Sequence, residues 1–454
     1  MAFSFSRDRW REYIAKRTTD FSAKVYKDGD RVYAVDSDGK TIAEGEVGVD
    51  DASVIQSALD SLTTGRTWKE KVILKGDFTL TSSIHLKGYV ILDLTSATLN
   101  FTNGNIAINK NLYPPASDIE ILGGYLEGNK STNQDVSGIS VSAGENIVIR
   151  DVTVEDFYLQ GIDITWNSDA NDVSKNVLVM NCKCASNGYN GIFCGQGSYN
   201  VHILNCKCEN NGSSGVDGDG IFVDHGASWV ASGGEATHNI LISKCILSNN
   251  NKRGIGLYGS LHNIIVENCI STSNGLDGIL IGNGTAHKIK VFNTICENNG
   301  QDGIFVGGGS YDIDIHAICI SNTRHGFGIY TQNPANYPDE TQKVLLKGIA
   351  RENGQMGVQL QGYDSTHLVK DVRVEVDCFD NSQSASNTYY GVRLDYTQDC
   401  RVIGIRSTGS SQYAGIWETV NSDYNIFVAN DVRGNGTTGM QVEGTNSVSA
   451  NNIT

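Results

Sequence analysis

The stretches NILISKCILSNNNKRGIGLY (residues 239–258) and NIIVENCISTSNGLDGILIG (residues 263–282) decide how this chain is read. Laid one under the other, they match at Asn239/Asn263, Cys245/Cys269 and Gly254/Gly278. Each holds three short runs in which apolar residues alternate with others: Ile240 and Ile242, then Cys245 and Leu247, then Ile255 and Leu257 in the first. Such alternation over four or five positions marks a strand with one face buried. The asparagines and glycines between the runs tolerate the left-handed backbone that sharp corners need.

The glycine phrase recurs along the chain. It stands at Gly138-Ile-Ser-Val, Gly161-Ile-Asp-Ile, Gly191-Ile-Phe-Cys and Gly220-Ile-Phe-Val, and again at Gly303-Ile-Phe-Val and Gly326-Phe-Gly-Ile. It continues through Gly357-Val-Gln-Leu, Gly391-Val-Arg-Leu, Gly415-Ile-Trp-Glu and Gly439-Met-Gln-Val. The spacing is about 23–25 residues in regular coils and about 29–34 where a loop is inserted. A fixed period of this length signals a solenoid. Three short strands per coil make it an all-β, right-handed parallel β-helix, over residues 49–454. Residues 1–48 read as a separate opening segment: a polar helix over Ser4–Arg17, then hairpins between Val25 and Gly45. Asp50 or Asp51 is placed to cap a helix from Ala52 to Leu62. Its apolar residues Ile55, Ala58, Leu59 and Leu62 share one face, which would close the open end of the solenoid.

Of 454 residues, 51 are glycine and 4 are proline, and the net charge is −16. That charge argues against general nucleic-acid or anionic-membrane binding. No apolar run is long enough for a membrane span. Met1–Arg17 lacks an apolar signal core, so no signal peptide is expected there. The eleven cysteines fall mostly on two repeat positions, Cys182/206/245/269 and Cys184/208/296/319. Stacked inward, they act as small core hydrophobes. The C-x-C pairs at 182/184 and 206/208 lack the wider loop spacings of zinc motifs. Asp217-Gly218-Asp219-Gly220 and Asp36-Ser37-Asp38-Gly39 partly match calcium loops without their full ligand spacing. Calcium is therefore the one cofactor ion suggested.

Equivalent positions of successive coils lie ~4.8 Å apart, so a site is assembled by stacking. Aligned on the phrase glycine, the coils around residues 219–330 gather polar groups at one edge of one face. Asp277, Asp302, His325, Arg324, Tyr258 and Tyr330 are the candidate catalytic residues, since paired carboxylates, tyrosine and histidine suit proton transfer. Arg253, Lys252, Asp224 and His225 are candidate substrate contacts. So are Trp229 and Tyr337, in loops 226–238 and 333–340 that could wall a groove; a further loop, 166–175, carries Trp166.

The coil pattern resembles the pectin-lyase-like β-helix proteins. Asn299-Gly300-Gln301-Asp302-Gly303-Ile304, followed by Asn322-Thr323-Arg324-His325-Gly326-Phe327, is similar to the catalytic module of the mannuronan C-5 epimerases. That resemblance carries over Asp302, Arg324 and His325. The family's preceding coil, Tyr-Gly-Phe-Asp-Pro-His, reads Asp277-Gly278-Ile279-Leu280-Ile281-Gly282 here, without its tyrosine and histidine. The phrase Tyr33-Ala-Val-Asp-Ser-Asp-Gly before the Val54–Leu62 helix resembles a common opening of archaeal and viral β-helix proteins. The expectations are a lyase or C-5 epimerase on an acidic polysaccharide, a glycoside hydrolase using Asp277 and Asp302, or a glycan-binding tailspike, the last implying a homotrimer. The setting would be an extracellular glycan or a virion.

Overall fold

The computed structural model describes residues 21–213, 218–226, 230–231, 233–337 and 339–454. The expected helix at Ser4–Arg17 and the loop residue Trp229 lie outside these. From Glu70 onward the strands stack in parallel, each paired with its counterpart one coil before and one coil after. The twelve glycine phrases, preceded by Ile84–Leu86 and Ile106–Asn109, form one sheet of 14 strands in strict chain order, ending at Thr438–Val442. The other two phrases build the remaining wall. They are separate strands in most coils, such as His238–Ser243 and Ile246–Ser248, but merge into single long strands such as His287–Glu297 and Tyr311–Ile320.

The register follows the repeat. Ile162, Ile192, Ile221, Ile255, Ile279, Ile304 and Phe327 pair in succession and are all fully buried. The first residue of the phrase must be glycine because the core is tight there. A Cβ at Gly191 would sit 2.6 Å from Gly220 O and 2.9 Å from the Cys208 Cβ. All eleven cysteines are free and buried, with Cys184 against Cys208 and Cys296 against Cys319 in register. Burial pushes the Cys400 thiol up to about 12, far from thiolate chemistry at neutral pH.

Two asparagine ladders hold the corners, for different reasons. Asn176, Asn200, Asn239 and Asn263 adopt φ of 54–56°, and each of the last three donates its Nδ2–H to the Oδ1 one coil back at 3.1–3.3 Å. The second ladder, through Asn211, Asn250, Asn274, Asn299, Asn322 and Asn353, is buried and is not left-handed. There each Oδ1 from Asn250 onward accepts both the backbone N–H and the Nδ2–H of the asparagine before it, at 2.9–3.2 Å. Side-chain hydrogen bonding inside the wall, rather than backbone permissiveness, explains this second row.

The opening segment is an antiparallel meander of β1 (Ala23–Asp28), β2 (Arg31–Asp36) and β3 (Thr41–Glu46). β1 also runs parallel to β4 (Glu70–Leu80), so the meander extends the solenoid wall. Asp36 accepts the N–H groups of Asp38 and Lys40 at 3.0 and 2.9 Å, which commits that carboxylate to its own hairpin. The helix α1 (Asp51–Asp60) buries Val54, Ile55, Ala58 and Leu59 against the first strands. Its cap differs from expectation. Asp50 holds the N-cap position without a side-chain cap bond and instead accepts the Glu46 N–H at 2.9 Å. Asp51 is fully buried, takes the Thr79 N–H at 2.7 Å and pairs with Lys27 at 2.9 Å. It fastens the helix to β1 and β4, a tertiary role that outweighs capping. No helix among the described residues is long and apolar enough to cross a membrane.

Candidate functional site

The residues just before each phrase glycine form a column of side chains reaching the next coil. Asp219 accepts the Arg253 N–H at 2.9 Å, Asp277 that of Asp302 at 3.1 Å, Asp302 that of His325 at 3.1 Å, and His325 Nδ1 that of Met356 at 3.2 Å. Asp277 and Asp302 do stack one coil apart, and both are buried. The column is thus a corner device before it is anything else, and each of these four acceptors satisfies a backbone donor that would otherwise be costly.

Asp302 does more. Its two oxygens receive Arg324 Nε at 3.0 Å and Nη2 at 2.7 Å, a bidentate pair. Arg324 Nη2 also donates to the Tyr330 hydroxyl at 3.1 Å, and the guanidinium lies 5.7 Å over that ring. Tyr330 stacks on Phe305 at 4.9 Å. The side chain of Asp302 is 0 % exposed while that of Arg324 is 34 % exposed. A sealed carboxylate therefore holds a partly exposed cation beside a phenol. Burial raises the Asp302 proton affinity against the pull of Arg324. Burial, then the Asp302 charge, pushes Asp277 up to about 6. Burial, then Arg324, presses His325 down to about 3; it is neutral at physiological pH, with Nδ1 occupied.

The same unit occurs a second time. Arg253 lies 5.2 Å over the Tyr258 ring, with Asp219 at 3.8 Å and Asp277 at 3.3 Å. A Cβ at Gly256 would stand 2.3 Å from Asp219 Oδ2, and one at Gly328 2.5 Å from Asp302 Oδ2. Only glycine leaves room for the carboxylate in either unit. The signal is legible once sought: Gly254-Ile-Gly-Leu-Tyr258 and Gly326-Phe-Gly-Ile-Tyr330, each with an aspartate one coil earlier. Sequence reasoning picked out both tyrosines and placed Asp219 at the same edge, but did not find the paired phrase or give Asp219 a role. The two units are three coils apart, ~14 Å at one strand spacing per coil. Tyr258 and Tyr330 therefore cannot act on one sugar ring together.

Asp224 and His225 belong to the Arg253 unit. Asp224 pairs in register with Tyr258, accepts the Gly226 N–H at 3.0 Å and lies 3.3 Å from His225 Nδ1. Lys252 sits half-buried at the corner before Arg253, and Tyr337 half-buried in a turn, its N–H donating to Asn333 O at 2.9 Å. Outward aromatics that sequence reasoning did not weigh line the same sheet. Phe193 meets Phe222 at 5.7 Å, and Phe222 meets Tyr258 edge-on at 4.9 Å. Flat apolar faces of this kind suit the C–H faces of sugars.

A family model described as "Right handed beta helix region" matches residues 91–260 and 233–375. No curated protein sequence matches the chain. Among solved structures, the A-module of the Azotobacter vinelandii mannuronan C-5 epimerase AlgE4 is similar, with 16 % identity, a TM-score of 0.55, and coverage of 89 % of this chain and 97 % of that one. The AlgE6 A-module from the same organism is similar at 16 % identity and TM-score 0.55, covering 90 % and 96 %. A variant of the periplasmic alginate epimerase AlgG is similar at 10 % identity and TM-score 0.51, covering 88 % and 83 %.

Proposed function

The chain belongs to the right-handed β-helix family, and from that premise we propose that it is an enzyme acting on an acidic polysaccharide by removing the proton at C5 of a uronate. The observation that supports this most is Arg324, fixed by the buried Asp302, standing over Tyr330 and partly exposed. A uronate carboxylate bound at its exposed part gains a charge-assisted partner. When C5–H is broken, negative charge spreads into the carboxylate, where a preorganised cation stabilises it. Tyr330 is the proton-transfer group beside Arg324. In a lyase Tyr330 acts as the phenolate and takes the C5 proton; the C5 electrons form the C4–C5 double bond as the C4–O bond breaks, and the phenol so formed gives that proton to the leaving oxygen, which restores the phenolate. An epimerase would return a proton to the opposite face of C5, which calls for a second group; one hydroxyl at the cation favours the lyase. The similarity to alginate epimerases supports the substrate class. Asp302 acts through Arg324 as a positioning residue.

A hydrolase needs two carboxyl groups that reach the glycosidic bond. Asp277 and Asp302 are sealed in the wall and engaged with Arg253 and Arg324, which weighs against that reading. The test is to incubate the purified chain with alginate, pectin and neutral glycans. A lyase produces the ultraviolet absorbance of an unsaturated uronate, a hydrolase produces reducing ends without it, and an epimerase changes the proton NMR spectrum without cleavage. Tyr330→Phe and Arg324→Lys should each lower turnover roughly a hundredfold, the scale of one lost transition-state donor. Asp163→Asn and Asp395→Asn, on the same face but several coils away, should not. Equal activity in all four variants would refute the assignment, and a glycan-binding spike without turnover would then lead.

A further inference from the structure

Away from the arginine–tyrosine units, at the corner where each coil enters the second wall, five rings stack in one column. Tyr199, His238, His262, His287 and Tyr311 hold the same register position in successive coils. Their centroids are 5.1, 4.8, 5.3 and 4.9 Å apart and their planes lie within 12° of parallel. His238 Nδ1 lies 2.8 Å from Ala236 O. A carbonyl can only accept, so Nδ1 carries the proton and Nε2 presents its lone pair. This backbone hydrogen bond is the arrangement that orients metal-ligating histidines. Glu235, three residues upstream, reaches the Nε2 edge: one oxygen is 3.3 Å from His262 Nε2 and the other 3.9 Å from His238 Nε2. The three ligand atoms lie within 4.8 Å of one another. Both histidine side chains are largely buried, at 13 % and 17 % exposed, while Glu235 is 66 % exposed and free to swing.

We propose that Glu235, His238 and His262 bind a divalent transition-metal ion of the zinc class through two imidazole nitrogens and one carboxylate oxygen, with water completing the shell. Imidazole selects zinc, copper or nickel, whereas calcium and magnesium demand oxygen donors. Zinc–nitrogen bonds of ~2.0–2.1 Å place two ligand nitrogens ~3.4 Å apart in a tetrahedron. Stacked rings aim their Nε2 lone pairs side by side, so each imidazole must turn well out of parallel for the two to converge on one ion. Stacking alone does not call for histidine: tyrosine fills the same position at both ends of the column. Nor does stacking call for a carboxylate at the Nε2 edge. The site is independent of the arginine–tyrosine units and of the activity proposed for them.

The test is calorimetric titration of the full, untagged, chelator-treated chain with zinc chloride alone, at slightly alkaline pH. One zinc ion per chain is expected, and cobalt(II) in its place should give the visible bands of a four-coordinate ion. His262→Tyr keeps the stacking, as Tyr199 and Tyr311 show, and should weaken zinc binding at least tenfold, as should Glu235→Gln. His316→Gln, elsewhere on the surface, should bind as the parent does. Unchanged melting of the zinc-free variants confirms that the fold is intact. Absence of binding by the parent chain, or parental affinity in His262→Tyr, would overturn the proposal.

Discussion

Replacing Arg324 with alanine tests the central pair, and its cost follows from the geometry. In the parent chain Asp302 is fully sealed and takes two guanidinium hydrogen bonds at 3.0 and 2.7 Å. Truncation leaves it the His325 N–H at 3.1 Å and the Tyr330 hydroxyl at 3.5 Å. Removing one partner of a buried pair costs about 3–5 kcal/mol if the other stays charged, and the lost cation–ring contact adds ~0.5–1 kcal/mol. Asp302 has an escape, which is to take up a proton. Arg324 pulls its proton affinity down, so the variant's folded-state pKa lies further above the unfolded value. A carboxyl whose folded pKa is raised favours the folded state most below its unfolded pKa, and that advantage is lost as pH rises toward the folded pKa. The deficit of Arg324→Ala should therefore be smallest near pH ~4. Above the pH at which the parent's Asp302 ionises it should grow by about 1.4 kcal/mol per pH unit until the variant's Asp302 ionises too, then level off. Urea denaturation at a series of pH values measures this. Hydrogen exchange of the coils around Asp302 and Tyr330 supplies the local reading, since a solenoid need not unfold as one unit. Arg324→Met combined with Asp302→Asn should recover most of the loss. A deficit below ~1 kcal/mol, or one independent of pH, would refute the sealed pair.

Asp277→Asn removes a carboxyl raised to about 6 by burial and then by Asp302; the parent should lose stability as pH rises from ~4 through ~6, and the variant's curve should be flatter there, whereas parallel curves would contradict the burial of Asp277. Ile55→Asp places a charge in the contact between α1 and the first strands and should cost about 3–5 kcal/mol; a melting temperature equal to the parent's would mean the helix is not docked. Asn299→Ala strips the buried ladder of an acceptor for Asn274 and a donor to Asn322 and should cost ~3 kcal/mol or more, read by thermal melting; a change under ~0.5 kcal/mol would show that the ladder bonds contribute little. Thiol titration in denaturant without reductant should find nearly all eleven cysteines free; several disulfides would reject the core ladder.

Coil register was readable because one physical constraint repeats. The glycine at 191, 220, 254 or 278 is needed wherever a backbone carbonyl of the next coil presses on it, so counting glycines counts coils. The cysteine rows were readable for the same reason. What the pattern did not disclose depends on contacts across coils. Asp302 reads as an outward polar residue, yet the space opened by Gly328 lets it fold inward under Arg324. Asp51 reads as a cap, yet Lys27 and Thr79, remote in sequence, claim it. The stacked column was present as His238-Asn, His262-Asn and His287-Lys before each second phrase, but Glu235 joins it only because the preceding loop returns to that corner.

The sheet that carries the two arginine–tyrosine units is also a ruler with fixed graduations. Because its contacts are supplied coil by coil, the interval between the Arg253–Tyr258 and Arg324–Tyr330 units changes only in whole increments of ~4.8 Å. Lengthening the segment between Asp224 and His238 leaves that interval untouched, whereas duplicating or deleting a repeat between Tyr258 and Asp302 shifts it by one graduation. Relatives of this chain would thus be expected to differ in which chain periodicity they accept by gaining or losing entire repeats, and in what decorates that chain by varying the segments between them.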